Sequence, residues 1–241
     1  MAHALLSPPL NLGLLHPVEV IRAVEDAYEG RPDVPIESAE GCIRQVLGWR
    51  EFVRHAYRRA MPELATANRL GATRDLPAFY WTGDTEMRCL AASVGDVSAR
   101  GYAHHIQRLM VLANFATLWG VEPRQLNEWF HATFVDAYHW VTTPNVVEMG
   151  AYGHGVFATK PYVTSANYVD DMSDYCEVCR YDPDERTGED ACPYNALFWD
   201  FLDRNEDALR SNHRMAPLYG HVDRLRDGDE LEAIRARVER L

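Results

Sequence analysis

The chain has no excess of positive charge. Thirty-six acidic against 24 basic residues leave it at −12, so its surface as a whole repels phosphate polymers, and any nucleic-acid site must be a local basic patch. It has no long apolar run. The longest, Leu109 to Val121, contains Asn114 and is too short to cross a bilayer, so no membrane partner is expected. Met1 to Pro17 is apolar, but it lacks a basic leader and is broken by Pro8-Pro9, which argues against a signal peptide. Internal repeats, low-complexity tracts and long linkers are absent. So is any alternating run of β-branched residues that would anchor a sheet, and the architecture therefore reads as mainly α. Cysteines number only five. Without an export signal they point to the reducing cytoplasm, where clustered cysteines usually ligate metal and a disulfide is disfavoured.

What is present suits an ordinary globular protein. The 241 residues are 47% hydrophobic and the mean hydropathy is −0.33, enough to bury a full core as one large domain or two small ones.

Three of the five cysteines fall between Tyr175 and Asn205, as Cys176-x2-Cys179-x12-Cys192-Pro193. A two-residue spacer lets one turn aim both sulfurs inward, and the Asp-, Pro- and Gly-rich segment that follows reads as a loop returning Cys192 to the same point. A proline after the last cysteine recurs in iron–sulfur ligand runs. Buried unligated thiols are the plain alternative, and a four-cysteine zinc site fits the spacing nearly as well as an iron–sulfur cluster. Either metal site needs a fourth ligand, from Cys42 or Cys89.

Helical spacing is clear in several places. Pro17 takes a first-turn position ahead of Val18, Ile21, Val24 and Tyr28, after a loop over Leu5 to Gly13. A strong helix runs from Ser38 through Ile43, Val46, Leu47, Phe52 and Val53. Leu64 to Trp81 reads as irregular. Thr85 to Ser98 is helical and carries Cys89; Ala99 to Leu118 is the most apolar helix; Glu122-Pro123 opens the next. Thr142 to Asn167, with Pro144, Gly150, Gly153, Gly155 and Pro161, reads as a long irregular stretch, which inside a domain is usually functional. A helix resumes over Asn195 to Asn205, and the tail, with Leu231, Ile234, Val238 and Leu241, reads as a solvated amphipathic helix.

Within the apolar helix lie Tyr102-Ala-His-His-Ile-Gln-Arg-Leu-Met110. Helical spacing puts His104 and Arg108 on one face and His105 on the next. The plain reading is a satisfied core histidine; the functional one is a polar pocket in which Arg108 meets an anionic group and a histidine exchanges protons. Arg50, Arg54, Arg58 and Arg59 suit a phosphate-facing patch or an ordinary solvated face. The six tryptophans read mostly as core.

Taken together these residues resemble the photolyase/cryptochrome superfamily. Leu6-Ser7-Pro8-Pro9-Leu10-Asn11-Leu12-Gly13 is similar to its flavin loop, and Ile43-Arg-Gln-Val-Leu-Gly-Trp-Arg-Glu-Phe52 to its arginine/tryptophan helix. Leu76 to Trp81 and Asn127 to Phe130 resemble two further blocks. Ala103 to Met110, Lys160-Pro-Tyr-Val163, Met172 to Cys176 and Arg186 to Pro193 narrow the resemblance to the bacterial iron–sulfur branch, which includes prokaryotic (6-4) photolyases.

The resemblance implies an all-helical FAD-binding catalytic domain over 1–241, with a four-cysteine region formed by Cys89 and residues 172–205. It implies FAD held by Ser7, Leu10, Gln45, Arg50, Arg108 and Asp136, and a [4Fe–4S] cluster on Cys89, Cys176, Cys179 and Cys192, with Cys42 spare. His105, beside His104, would donate a proton to the lesion. Trp129 and Trp81 would form the internal chain that photoreduces FAD, and Lys160 and Tyr162 would line the DNA or the pocket side. It further implies a cytoplasmic monomer that repairs (6-4) photoproducts in UV-damaged DNA, with light sensing without repair, or a metal-containing binding module, as alternatives. The family's α/β antenna domain is not in this sequence, so no antenna chromophore is expected on this chain. Thr142 stands where many photolyases place an asparagine near the flavin.

Overall fold

Helix starts are set by proline and polar caps. In a computed structural model, which describes residues 4–241, α1 (Ser7–Asn11) has proline in its first turn, where a missing N–H leaves nothing unpaired. α2 (Pro17–Gly30) begins at Pro17. The Val18 N–H donates to His16 Nδ1 at 3.3 Å and the His16 N–H to the Glu19 carboxylate at 2.7 Å, a reciprocal capping box. α3 (Ile36–Ile43) passes through a π-helical segment, Arg44–Trp49, into α4 (Arg50–Ala60).

After α5 (Phe79–Thr82) and α6 (Arg88–Arg100), a second π-helical segment, Gln107–Ala113, leads into α7 (Asn114–Trp119). α8 (Pro123–Thr133) and α9 (His139–Thr143) follow, and α9 continues as a third, Pro144–Gly150. The chain ends with α10 (Ala166–Met172), α11 (Pro193–Arg204), α12 (Glu206–Leu209), α13 (Ala216–Asp227) and α14 (Glu230–Val238). Among the described residues the β features are two isolated bridges, Arg74 with Val121 and Asp182 with Ala191. The expected mainly α architecture is the one found.

α11 is the central element because it is apolar on nearly every side. Pro193 through Phe198, Phe201 and Leu202 are all buried, the pattern of a helix with neighbours all round, and α7, α13 and α14 pack on it. An aromatic layer extends from it. Tyr194 meets Phe115, Phe115 meets Phe79, and Tyr80 meets Trp129 edge-on at 5.1 Å. The hydroxyls of Tyr194 and Tyr80 donate to the carbonyls of Val111 and Leu112 at 2.8 and 2.7 Å. Both carbonyls lie at the wide π-helical segment, so the layer also pairs backbone acceptors there.

Several expectations change. The helix expected over 99–118 is broken: α6 ends at Gly101, whose φ of +61° closes the last turn. A side chain there would meet Val135 Cγ1 at 2.6 Å, so glycine is required both for the left-handed turn and for close packing. The stretch expected to be irregular from Thr142 is helical to Gly150. The loop expected over Leu5 to Gly13 contains the helical turn α1. The tail helix is less solvated than its charges suggest, since Leu231, Ile234, Arg237 and Val238 are buried. The tryptophans are not mostly core: Trp129 is buried, Trp49 and Trp81 are exposed, and the other three are half-buried.

Candidate functional site

Two of the three π-helical segments face each other across a cleft of about 240 Å³. Gln107–Ala113 contributes Arg108, Leu109 and Ala113; Pro144–Gly150 contributes Asn145, Val146 and Met149. π-Helical turns are rare and concentrate at functional sites. The two segments can approach because Gly150 has no side chain. A Cβ there would sit 3.2 Å from that of Ala113, and Thr117 Oγ1 donates to the Gly150 carbonyl at 2.9 Å.

An ion pair forms one end of the cleft. Arg108 donates from Nη1 and Nη2 to the two oxygens of Asp136 at 2.9 and 3.1 Å, and from Nε to the Ala103 carbonyl at 2.7 Å. Its guanidinium lies between the rings of Tyr102 and Phe134, 4.5 and 4.4 Å from their centroids. A bidentate pair held between aromatic faces has one orientation available to it. Asp136, only 7% exposed, also accepts from Ser7 Oγ at 2.6 Å, and its backbone carbonyl accepts from Asn11 Nδ2 at 3.1 Å. These two bonds fasten α1 over the cleft. Phe130 and Phe134 supply apolar wall, and Thr142 also lines the space.

The adjacent histidines separate. His105 lines this cleft with Arg108. His104 lines a second one of about 460 Å³, with Asp96, Gln107, Tyr168 and Tyr175, and Tyr102 walls both. The expected shared face of His104 and Arg108 is lost because the chain is not yet helical at His104. His104 caps the next helix instead: the Ile106 N–H donates to its Nδ1 at 3.2 Å, and its own N–H donates to Gln107 Oε1 at 2.9 Å.

His105 is exposed by area, yet its ring stands in crowded surroundings at the cleft. That partial desolvation, with Arg108 and then His104 nearby, holds its pKa below the usual imidazole value. The free protein therefore carries His105 neutral at pH 7.

Four cysteines meet elsewhere. Cys89 from α6, Cys176 and Cys179 from a 3₁₀ turn, and Cys192 at the start of α11 line one small cavity walled by Met87, Val169, Tyr175, Tyr181 and Tyr194. Cys42 lies in α3, outside it. Burial, then the neighbouring cysteines, push the Cys89 thiol far up; burial raises Cys192 to about 12, and burial with Asp170 raises Cys176 to about 11. Among the described residues no three His, Cys, Asp or Glu side chains stand close enough to clasp a single ion.

The remaining expected site residues are dispersed. Trp129 is buried, donates from Nε1 to the Tyr80 carbonyl at 2.9 Å and touches Phe130, Phe134 and Tyr80. Two of those rings wall the cleft. Trp81, next to Tyr80, is 58% exposed. Leu10, Gln45, Arg50, Lys160 and Tyr162 do not line the cleft. Gln45 is exposed, whereas Arg50 lies over Trp140, pairs with Glu51 and buries an unpartnered Nε. Arg54 pairs with the same Glu51, which weakens the expected basic patch; Arg58 and Arg59 stay exposed on α4.

The sequence did not single out Tyr102 and Phe134 as the faces holding Arg108, or Glu148. Glu148 is fully buried and accepts four backbone N–H groups: those of His154, Gly155 and Phe157 at 3.0, 3.0 and 2.7 Å, and that of Val156. A lone acid before a glycine-rich stretch was the available signal.

The cleft and the gathered thiols lie in a helical domain. No protein-family model matches the chain. It is 47% identical over 238 residues, 98% of its length, to the (6-4) photolyase of Agrobacterium fabrum (strain C58), and it spans 46% of that protein. Two short proteins of Acanthamoeba polyphaga mimivirus, both named as uncharacterized, match smaller parts: R855 at 29% identity over 107 residues and R853 at 34% over 83. The similarity to the Agrobacterium protein, over nearly the whole of this chain, supports placing it in the photolyase/cryptochrome superfamily. Its helical architecture is consistent with the C-terminal domain of that family.

Proposed function

We propose that the chain is the FAD-binding, catalytic part of a light-driven DNA photolyase that repairs (6-4) pyrimidine–pyrimidone photoproducts. The observation that carries this reading is the cleft that brings Ser7, Arg108, Asp136 and His105 together in a chain 47% identical to a protein named as a (6-4) photolyase.

The residues present fit a flavin. At about 240 Å³ the cleft falls below the size of most ligand pockets, which run roughly 300–1,000 Å³. It suits a flat ring system, with the rest of a dinucleotide lying outside it. Its walls are apolar and aromatic, and two of the five Arg108 N–H groups are not used by protein partners. The unpartnered Nε of Arg50 is a further donor awaiting an acceptor. Ser7, Arg108 and Asp136 are the proposed holding residues, with Leu10, Gln45 and Arg50 toward the nucleotide end. Bound FAD would supply one-electron transfer under blue light.

The protein's part is position and proton. A base within the helical stack cannot reach the cleft, so the lesion has to be flipped out of the duplex. Arg58 and Arg59 on α4 are candidates for the DNA backbone, offsetting the −12 charge locally. His105 is neutral in the free protein, so it becomes a proton donor only once DNA phosphate or another anion beside it raises its affinity for a proton. Proton supply is thereby tied to occupancy of the site. Trp129, against the cleft wall, and Trp81, at the surface, are the proposed ends of an electron path from solvent.

We assign the sulfur-lined cavity to a [4Fe–4S] cluster on Cys89, Cys176, Cys179 and Cys192. What supports the assignment is that four cysteines line one cavity, the number of thiolates such a cluster takes. The test is the absorption spectrum and elemental content of anaerobically purified protein. Near-ultraviolet and blue flavin bands over a broad shoulder, with iron and acid-labile sulfide in equal amounts, are expected. A colourless protein containing zinc would overturn both assignments.

A further inference from the structure

We infer that Gln107 is a positioning residue for His105, and that through Gln107 the segment opening the cysteine loop holds the histidine helix in register. The inference rests on the functional reading of His105 given above. Gln107 stands where three elements meet. Its Oε1 accepts the His104 N–H at 2.9 Å, and its Nε2 donates to Asp96 Oδ2 of α6 at 2.7 Å and to Tyr175 Oη at 3.0 Å. Tyr175 directly precedes Cys176, and its ring walls the sulfur-lined cavity.

A primary amide has two N–H groups and one carbonyl oxygen, and each has a partner here. Few side chains could replace it. A carboxylate would face Asp96, asparagine is one methylene short, and methionine offers no N–H. The bond to the His104 N–H is half of a capping box, and the return half is the Ile106 N–H on His104 Nδ1 at 3.2 Å. The helix starts at His105, so this box decides where its first turn begins. Arg108 lies in that turn, bonded back to the Ala103 carbonyl and across to Asp136. A loosened cap therefore displaces His105 and Arg108 together, although neither touches Gln107 through a side-chain hydrogen bond.

His104 acts within the same unit. It is a positioning residue facing the second cleft, not a second proton donor in the first. The cysteine loop gains a mechanical role: ligands fixed at Cys176 order Tyr175, and Tyr175 orders Gln107.

Two variants test this. Gln107→Met keeps the volume and removes all three bonds; Tyr175→Phe removes one hydroxyl and leaves the aromatic wall. Amide hydrogen exchange over Ile106–Arg108, measured on flavin-free protein that retains its metal, is expected to be about fivefold faster in Gln107→Met, the size of a lost helix cap. Tyr175→Phe should give a smaller increase at the same amides, and the double variant should match Gln107→Met alone. In the flavin-loaded protein, repair per bound flavin and absorbed photon should fall in the same order while affinity for damaged DNA stays constant. Unchanged exchange in Gln107→Met, or effects of the two variants that multiply, would overturn the inference. If Gln107→Met does not fold, unchanged exchange in Tyr175→Phe overturns it. Exchange that follows the expected pattern in a protein showing no repair supports the linkage and removes only the (6-4) reading.

Discussion

Removing the carboxylate of Asp136 should collapse one end of the cleft, and the structure gives the size of the effect. Asp136 is 7% exposed and holds Arg108, itself 23% exposed, through both oxygens. Taking away one partner of a buried pair costs about 3–5 kcal/mol; because Arg108 keeps some solvent, the lower end applies. Ser7 loses its acceptor at the same time, which adds about 1 kcal/mol. Asp136→Ala should therefore cost about 4 kcal/mol, a fall in Tm of roughly 10 °C for a chain of this length. Ser7→Ala should cost about 1.5 kcal/mol, since only the hydrogen bond to a charged acceptor is lost. The double variant decides the matter. Ser7 acts on this site through Asp136, so Ser7→Ala in the Asp136→Ala background should change stability by less than about 0.5 kcal/mol. Urea denaturation of the four proteins, followed by fluorescence, measures the cycle. Additive losses, or an Asp136→Ala cost below about 1 kcal/mol, would refute the claim that α1 is fastened through this carboxylate.

Glu148→Ala leaves four backbone N–H groups without their acceptor and should cost about 3–5 kcal/mol in urea denaturation, with limited proteolysis opening the chain between 151 and 158. The depressed pKa of His105 means that the unfolded chain takes up its proton first as pH falls below about 6.5. Wild-type stability should thus drop between there and the lower folded-state pKa, and His105→Gln should flatten that limb; an identical pH profile in the variant would contradict the placement of the ring. Trp129→Phe, losing its bond to the Tyr80 carbonyl and leaving a void, should cost about 2–3 kcal/mol. Trp81→Phe, at the surface, should change stability by less than about 0.5 kcal/mol, yet both variants should slow light-driven flavin reduction. Cys89→Ser should remove iron from the purified protein, whereas Cys42→Ser should leave the iron content unchanged.

The helical class was legible because its signals are local: first-turn prolines at Pro17 and Pro123, and apolar residues at helical spacing. Three of the four gathered cysteines were legible for the same reason. Spacing left Cys89 and Cys42 both open, since that choice depends on which helix passes the loop, a long-range matter; the family resemblance selected Cys89, which lines the cavity. The double histidine misled in an instructive way. Apolar periodicity runs unbroken from 99 to 118, so His104 and His105 read as one pair inside one helix. Gly101 ends the first helix and His104 caps the second, which turns the neighbours toward different clefts. The clue was present: His104-x-x-Gln107 has the same capping spacing as His16-x-x-Glu19. The π-helical turns left no such trace. Pro144 and Gly150 argued for loop in a segment that is helical: Pro144 stands where α9 passes into the π-helical turn, and Gly150 packs closely against Ala113.

The most direct test of the central claim is repair of a (6-4) photoproduct in a synthetic oligonucleotide by the purified, flavin-loaded protein, followed by chromatography with and without blue light. Light-dependent loss of the lesion is predicted, abolished in His105→Ala with FAD content unchanged. Full repair by His105→Ala would contradict the proton role assigned to that histidine, and a flavin-loaded wild type that leaves the lesion intact in light would contradict the function itself.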